Sequence, residues 1–138
     1  GRARQAGFEA ALKEAGRHFI AQEVLHDQPG FYAGFFGTET LLARAPQLDA
    51  IYYHDDEMAI GGMAYLRKHG IKVKHDIGIA GWGAMEAAAI LPERLTTTDV
   101  PAAVLGKAAA EMLVTRLHGN RVEDIKIVPT RLISGNTI

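Results

Sequence analysis

The fold is decided by residues 49–70, which read DAIYYHDDEMAIGGMAYLRKHG. Residues 49–54 form a short, mostly apolar run that predicts a buried strand, and the run ends abruptly at acidic residues 55–57. A strongly apolar helix is expected over residues 58–68, since Gly70 provides the left-handed conformation that commonly follows a helix end. A strand followed at once by a helix is the repeating unit of α/β folds.

The same alternation continues on both sides of this stretch. Residues 77–82, IGIAGW, are apolar without alternation, which is typical of a parallel strand buried on both faces. Pro129 indicates an edge strand or a bend in the last extended segment. The other expected elements are helices over residues 8–16, 31–45 and 101–117 and extended segments over residues 20–25, 95–98 and 125–133. Gly34 and Gly37 within the second of these helices would let a neighbouring backbone come close. We therefore predict an α/β fold with three layers, in which helices cover both faces of a parallel sheet.

Composition limits the classes of function. The chain has 138 residues, 48% of them hydrophobic, a formal net charge of −1 and no cysteine. This length suits one domain, and the near-neutral charge argues against nucleic-acid binding by this segment. No apolar run reaches the roughly 18 residues that cross a membrane. The absence of cysteine excludes disulfides and thiol catalysis and fits a reducing compartment such as the cytoplasm.

Ligands of open α/β sheets bind beyond the carboxyl ends of the strands, a rule that selects residues 28–31, 54–57 and 81–85. One of the two aspartates in the second group is expected to cap the following helix, and the pattern favours Asp56 for this role. Asp55 is then left to accept hydrogen bonds from the hydroxyls of a polyol. Paired carboxylates also suit Mg²⁺ or acid–base chemistry, but no third ligand stands nearby, so we expect no metal and no cofactor.

Trp82 lies between two glycines, so its ring is expected either to reach into a cleft and stack on a sugar or to belong to the core. Arg4 precedes the first expected helix and is either solvated or placed to bind a carboxylate through two hydrogen bonds. The histidines show no metal-ligand spacing, and the chain has neither a phosphate-binding glycine loop nor a serine nucleophile motif. The residues therefore indicate an α/β domain with a cleft and without a convincing catalytic set, and they do not by themselves name its function.

Five motifs occur in the order and spacing that resemble LacI/GalR-type transcriptional repressors. They are RQAGFEAAL at 4–12, DDEMAIG at 55–61, IGIAGW at 77–82, LTT at 95–97 followed by Pro101, and PTRLI at 129–133. The resemblance covers essentially the whole chain. It implies one lobe of a type I periplasmic-binding-protein-like fold, with the C-terminal lobe at residues 1–99 and 120–138. Residues 100–119 would be a crossover helix that packs on an absent N-terminal lobe, and the chain's start, GRAR, would be a cut inside a bilobal protein.

The resemblance also implies a ligand site. By motif position Arg4 and Asp55 would hydrogen-bond the effector, Phe31 would stack on it from a loop, and Trp82 and Gly83 would line the cleft. Family members that bind neutral sugars usually carry two aspartates where this chain has Gly83 and Ala84, and their loss favours an anionic effector. This variant and the following MEA at residues 85–87 resemble the gluconate-responsive branch.

The partners implied are a small sugar or sugar acid and a second copy of the chain, bound through helices 31–45 and 58–68. Ordinary packing of these helices on the sheet is the alternative. Operator DNA would be bound only through an absent N-terminal domain, and no membrane is involved. Two other functions stay open: a periplasmic sugar-binding protein that serves a transporter, and a sugar-processing enzyme that uses Asp55 and Asp56.

Overall fold

The computed structural model describes residues 2–25 and 30–138. Helices and strands alternate through most of this range, which confirms the predicted α/β class. The elements are α1 (Arg2–Glu14), α2 (Gly30–Arg44), β1 (Ala50–Tyr52), α3 (Asp56–Lys68), β2 (Gly78–Ala80), α4 (Glu86–Ile90), β3 (Thr97–Asp99), α5 (Ala102–Leu117) and β4 (Arg131–Ile133). No helix of the described residues is both long enough and apolar enough to pass through a membrane.

The strands are parallel in one part of the fold and antiparallel in the other. β1 pairs with β2 in parallel, with Ile51 opposite Ile79, and Ala80 forms a parallel bridge to Thr96 just before β3. β4 runs antiparallel to β3, so the prediction of a purely parallel sheet is wrong at this edge. β4 could run parallel to β3 only if the connection between them crossed over the sheet. The connecting helix α5 buries only Ala108, so it does not pack across the sheet in this way.

The core lies between the strands and the pair of helices α2 and α3. Ile51 and Ile79 occupy the centres of β1 and β2, and Leu66 of α3 and Leu41 of α2 pack in the same cluster. Within residues 58–68 the apolar residues made a helix predictable, and Leu66 is one of those that pack in this core.

Two glycines allow α2 and α3 to touch backbone to backbone. A Cβ at Gly34 would overlap the backbone of Met58, and a Cβ at Gly61 would overlap the backbone of Phe31. This confirms the expectation of a close backbone at Gly34, whereas Gly37 faces only a side chain of Leu25. Close approach of the helices offsets the low helix propensity of glycine.

Several boundaries differ from the sequence expectations. α1 already begins at Arg2, so Arg4 lies within the helix and not before it. Residues 20–25 form no strand, because no described strand pairs with them, and β4 is confined to the three residues after Thr130. The five-residue helix α4 was not expected, since a run this short shows no clear helical period.

Candidate functional site

Three segments that are distant in the sequence meet at the carboxyl end of β1 and β2. The guanidinium carbon of Arg4 lies 4.5 Å from the centroid of the Trp82 ring and 5.9 Å from that of Tyr52. Arg4 Nη2 lies 2.6 Å from Nδ1 of His54. We call these four residues the arginine cluster.

Each member reaches the cluster through its own element. His54 follows β1 and Trp82 follows β2, and the carboxyl ends of parallel neighbours lie at the same edge of a sheet. Arg4 lies on the first turn of α1, and one turn later the Phe8 ring packs on Tyr52 with a centroid distance of 4.9 Å. This aromatic contact holds α1 against the strand end and thereby places Arg4 over Trp82.

The cluster carries a positive charge that no described acidic side chain neutralises. The ion pairs found among the described residues do not include Arg4. Its Nη1 is buried and has no hydrogen-bond partner among the described residues. A buried donor without an acceptor costs roughly 1–3 kcal/mol, so a ligand oxygen that accepted from it would be favoured. Guanidinium groups pair especially well with carboxylates, which makes the cluster chemically suited to an anion.

The two aspartates after β1 have separate structural roles. Asp55 Oδ1 accepts a hydrogen bond of 2.8 Å from Met58 N and caps α3. Asp56 is only 2% exposed, and its carboxylate accepts from the Thr97 hydroxyl at 2.6 Å and from Met85 N at 2.7 Å. The expectation that Asp56 is the cap is therefore wrong, because the cap is made by the residue immediately before it.

These roles remove the basis for a paired-carboxylate centre. Asp55 faces the helix start, while Asp56 is enclosed by the loop after β2 and by β3. Among residues 2–25 and 30–138 there is no group of three or more potential metal ligands. Asp55 keeps one carboxylate oxygen that makes no hydrogen bond to a described residue, so it can still accept from a ligand hydroxyl.

Hydrogen bonds to Asp56 and Thr97 hold the loop after β2 in place. Gly83 is exposed with φ at +121°, a conformation that only glycine adopts readily, and Ala84 follows at +53°. Gly83 N donates to Thr98 O at 2.9 Å, and the next two amides are used by Thr97 and Asp56. The loop therefore presents the half-buried Trp82 to the cluster without offering free backbone donors at residues 83–85.

Phe31 is not brought together with the arginine cluster. It lies on the first turn of α2 and not in a loop. There it lines an apolar cavity of about 260 Å³ with Tyr32, Phe35, Phe36 and Ile60, between α2 and α3. Arg4 and His54 line a different cavity, of about 1230 Å³, between α1, residues 16–25 and β1, whereas Asp55, Trp82 and Gly83 do not line it.

Tyr52 and His54 are the members of the arginine cluster to which sequence reasoning gave no role of their own. His54 is exposed, as are His18, His69, His75 and His118. His26, and residues 28 and 29 of the first predicted ligand-binding stretch, lie outside the described residues. The strand-end rule had selected residues 54–57, which include His54, but it could not indicate the contact with Arg4, 50 residues away in the sequence.

Comparison with known proteins supports the relationship that the motifs imply. The model of the periplasmic binding protein-like domain matches residues 1–138. The HTH-type transcriptional regulator GntR of Pseudomonas aeruginosa is 31% identical over 121 residues, which are 86% of this chain and 35% of that protein. The chain thus spans about a third of the length of this curated relative.

Solved structures give the same result. A LacI-family transcriptional regulator from Silicibacter pomeroyi superposes with a TM-score of 0.85 at 31% identity, over 99% of this chain and 41% of that chain. The complex of the transcriptional regulator CelR with cellobiose also has a TM-score of 0.85, at 27% identity over 97% of this chain and 41% of that chain. The chain belongs to the periplasmic-binding-protein-like domain family, in the branch formed by LacI-family transcriptional regulators.

Proposed function

We propose that the chain is the effector-sensing part of a LacI/GalR-type transcriptional regulator. The observation that carries this proposal is the arginine cluster, an unneutralised guanidinium held between an aromatic ring and a strand end. It lies at the carboxyl end of parallel strands, where α/β folds bind small molecules. Relatives named as transcriptional regulators, one of them solved with cellobiose, support a sugar-like effector over a transporter's cargo.

The effector that suits the site best is a sugar acid, with gluconate as the leading candidate. Arg4 would bind the carboxylate, and the Trp82 ring would stack on the carbon chain. The free oxygen of Asp55 would accept from a hydroxyl, and Gly83 leaves space where a carboxylate side chain would repel an anion. The relatives named GntR support the gluconate branch. Phe31 is left out of this proposal because it lines another cavity.

The effector would act by shifting a conformational equilibrium. A ligand bound between two lobes favours the closed arrangement by its difference in affinity for the closed and open states. Closure would change the geometry of the dimer and so its affinity for operator DNA, which would be bound by a separate N-terminal domain. We propose a cytoplasmic location for such a protein, since it must reach DNA.

The second lobe would cover α5. This helix buries only Ala108 and exposes five large apolar residues, which are Val104, Leu105, Leu113, Val114 and Leu117. These residues are distributed around the helix, and exposed apolar surface of this extent is normally covered by a partner. We therefore retain residues 100–119 as a crossover helix of the other lobe and residues 1–99 and 120–138 as the C-terminal lobe.

The dimer would form through α2 and α3. Their inner faces pack on each other and on the strands, whereas Phe31, Tyr32 and Phe36 remain exposed on the outside. Tyr32 is 64% exposed and stacks on Phe36 beside the 260 Å³ cavity. The inner faces pack as ordinary packing predicts, and the exposed aromatic residues of α2 support the proposed interface. Exposed aromatic clusters are typical of interfaces.

Calorimetry on the full-length protein tests the effector. We expect gluconate to bind and galactose to bind far more weakly, and we expect R4A to reduce gluconate affinity by about tenfold or more. K13A is the matched control, because Lys13 is an exposed cation of the same helix that does not line the cavity of Arg4 and His54. Binding of galactose without gluconate would contradict the proposed effector, and conversion of gluconate during the titration would favour the enzyme hypothesis.

A further inference from the structure

We propose that His54 is a specificity-determining residue of the effector site, which orients Arg4 without neutralising it and thereby selects acids over neutral polyols. This inference rests on the proposed function and deepens it. Nothing in the composition or spacing of the chain singles out His54. The observation that does so is its contact with Arg4 across 50 residues of sequence.

The contact identifies which group donates. A guanidinium has only donors, so in a hydrogen bond with Arg4 Nη2 at 2.6 Å the Nδ1 atom of His54 is the acceptor. This corresponds to the tautomer that carries its proton on Nε2. Arg4 thus keeps its full charge and its other donors, among them the buried and unpartnered Nη1.

Two uncharged rings also contact Arg4. Trp82 and Tyr52 face the guanidinium with their rings, which attract a cation without cancelling its charge. The charged residues lining the cavity that Arg4 and His54 share are Arg2, Arg4, Arg17, Lys74, Glu23 and Asp49. Glu23 is paired with Arg44 at 2.7 Å, so the excess charge of this cavity is positive.

A carboxylate at position 54 would change this balance. It would take the place of the effector in pairing with Arg4, and it would repel an anion that approached the cluster. A neutral acceptor at position 54 leaves the guanidinium available for the ligand's carboxylate. The site therefore favours an anionic effector, because the residue that positions Arg4 does not itself pair with its charge.

The experiment uses the isosteric pair H54N and H54D in the full-length protein. His54 is exposed, and both replacements place an oxygen acceptor near the position of Nδ1, so neither is expected to disturb the core. The probes are gluconate and sorbitol, which differ only at C1, where one has a carboxylate and the other a hydroxymethyl group. Affinities are measured by calorimetry, and thermal unfolding checks that the variants are folded.

We expect H54N to keep gluconate affinity within about threefold and H54D to lower it by about tenfold or more, since close charge pairs are worth at least this factor. Sorbitol affinity should change less than about twofold in H54D, which a merely structural effect would not produce. Equal gluconate affinities of H54N and H54D would overturn the role of His54 while leaving the proposed function intact. Equal losses for both probes in H54D would overturn it too. A wild-type protein that binds no gluconate would overturn both proposals.

Discussion

Helices α2 and α5 have similar lengths and similar apolar character, yet they differ completely in burial. α2 buries five residues along its length, and α5 buries Ala108 alone. The difference arises because α2 meets α3 at a glycine contact, whereas α5 has no comparable partner among the described residues. Apolar content therefore predicts that a face needs a partner, and it does not predict which partner or whether this chain contains it.

The largest difference is expected when one leucine is replaced in the packed pair of helices α2 and α3 and one in the exposed helix α5. L66A in α3 should lower the free energy of unfolding by about 3–5 kcal/mol, because Leu66 is fully buried in the core. L117A in α5 should change it by less than about 0.5 kcal/mol, since Leu117 is 74% exposed. Urea unfolding of this chain measures both. A large loss in L117A would mean that α5 has a packing partner within the chain.

The same glycine-to-alanine change should have opposite signs in α2 and α5. G34A should destabilise the chain by about 2–3 kcal/mol, because the new Cβ would overlap the Met58 backbone and force the helices apart. G106A should stabilise it by about 0.5–1 kcal/mol, since open space surrounds that glycine and alanine has the higher helix propensity. Urea unfolding midpoints report the sign of each change, and a stabilising G34A would refute the close contact of α2 with α3.

Thr137 tests whether the C-terminal segment belongs to the buried body of the domain. Its hydroxyl donates to Ile79 O at 2.7 Å and accepts from Thr96 N at 2.9 Å, and the residue is fully buried. T137V should lower the unfolding free energy by about 2 kcal/mol, because it leaves a buried amide and a buried carbonyl without partners. T115V in α5 is the control, and its loss should be below about 0.5 kcal/mol. Similar losses for T137V and T115V would argue that the Thr137 hydroxyl does not join the C-terminal segment to the buried part of the domain.

Tyr53 gives the smallest expected effect and a dependence on pH. Burial raises the pKa of the Tyr53 phenol well above its ordinary value of 10.0, although its hydrogen bond with Thr38 opposes this shift. The folded chain keeps the proton where the unfolded chain loses it, so the stability due to this group is fully present below pH 10 and falls as the pH rises further.

Y53F removes both the hydrogen bond and the titration. It should therefore cost about 1 kcal/mol at pH 8, and this cost should shrink above pH 10. Y32F is the control, because Tyr32 is largely exposed, and it should show neither effect. Unfolding curves at the two pH values decide the matter: a cost for Y53F that stays constant with pH would contradict the buried phenol.

The predictable part of the fold depends on interactions between near neighbours in the sequence. The strand and helix within residues 49–70 follow from the spacing of apolar residues, and the glycine in α2 indicated a close backbone before its partner was known. Residues 20–25 show the limit of this reasoning, because an extended segment becomes a strand only when another strand pairs with it.

The candidate site was predictable in its parts and not in its assembly. Arg4, Asp55 and Trp82 could be selected because they follow motifs and strand ends. Asp55 caps the helix and Asp56 is buried, because α3 begins at Asp56, one residue earlier than a cap at Asp56 would require. Phe31 was assigned to a loop, but α2 extends to include it and turns it towards α3.

By itself the sequence determined the alternation of strands and helices, the need for close helix contact at Gly34 and the motifs of the family. Only the tertiary structure decided that β4 runs antiparallel, that α5 stays uncovered and that His54 accepts a hydrogen bond from Arg4. Local propensity and periodicity depend on residues a few positions apart, so they can be deduced from the sequence. The contact between Arg4 and His54 spans 50 residues, and it depends on how α1 packs against the strand ends.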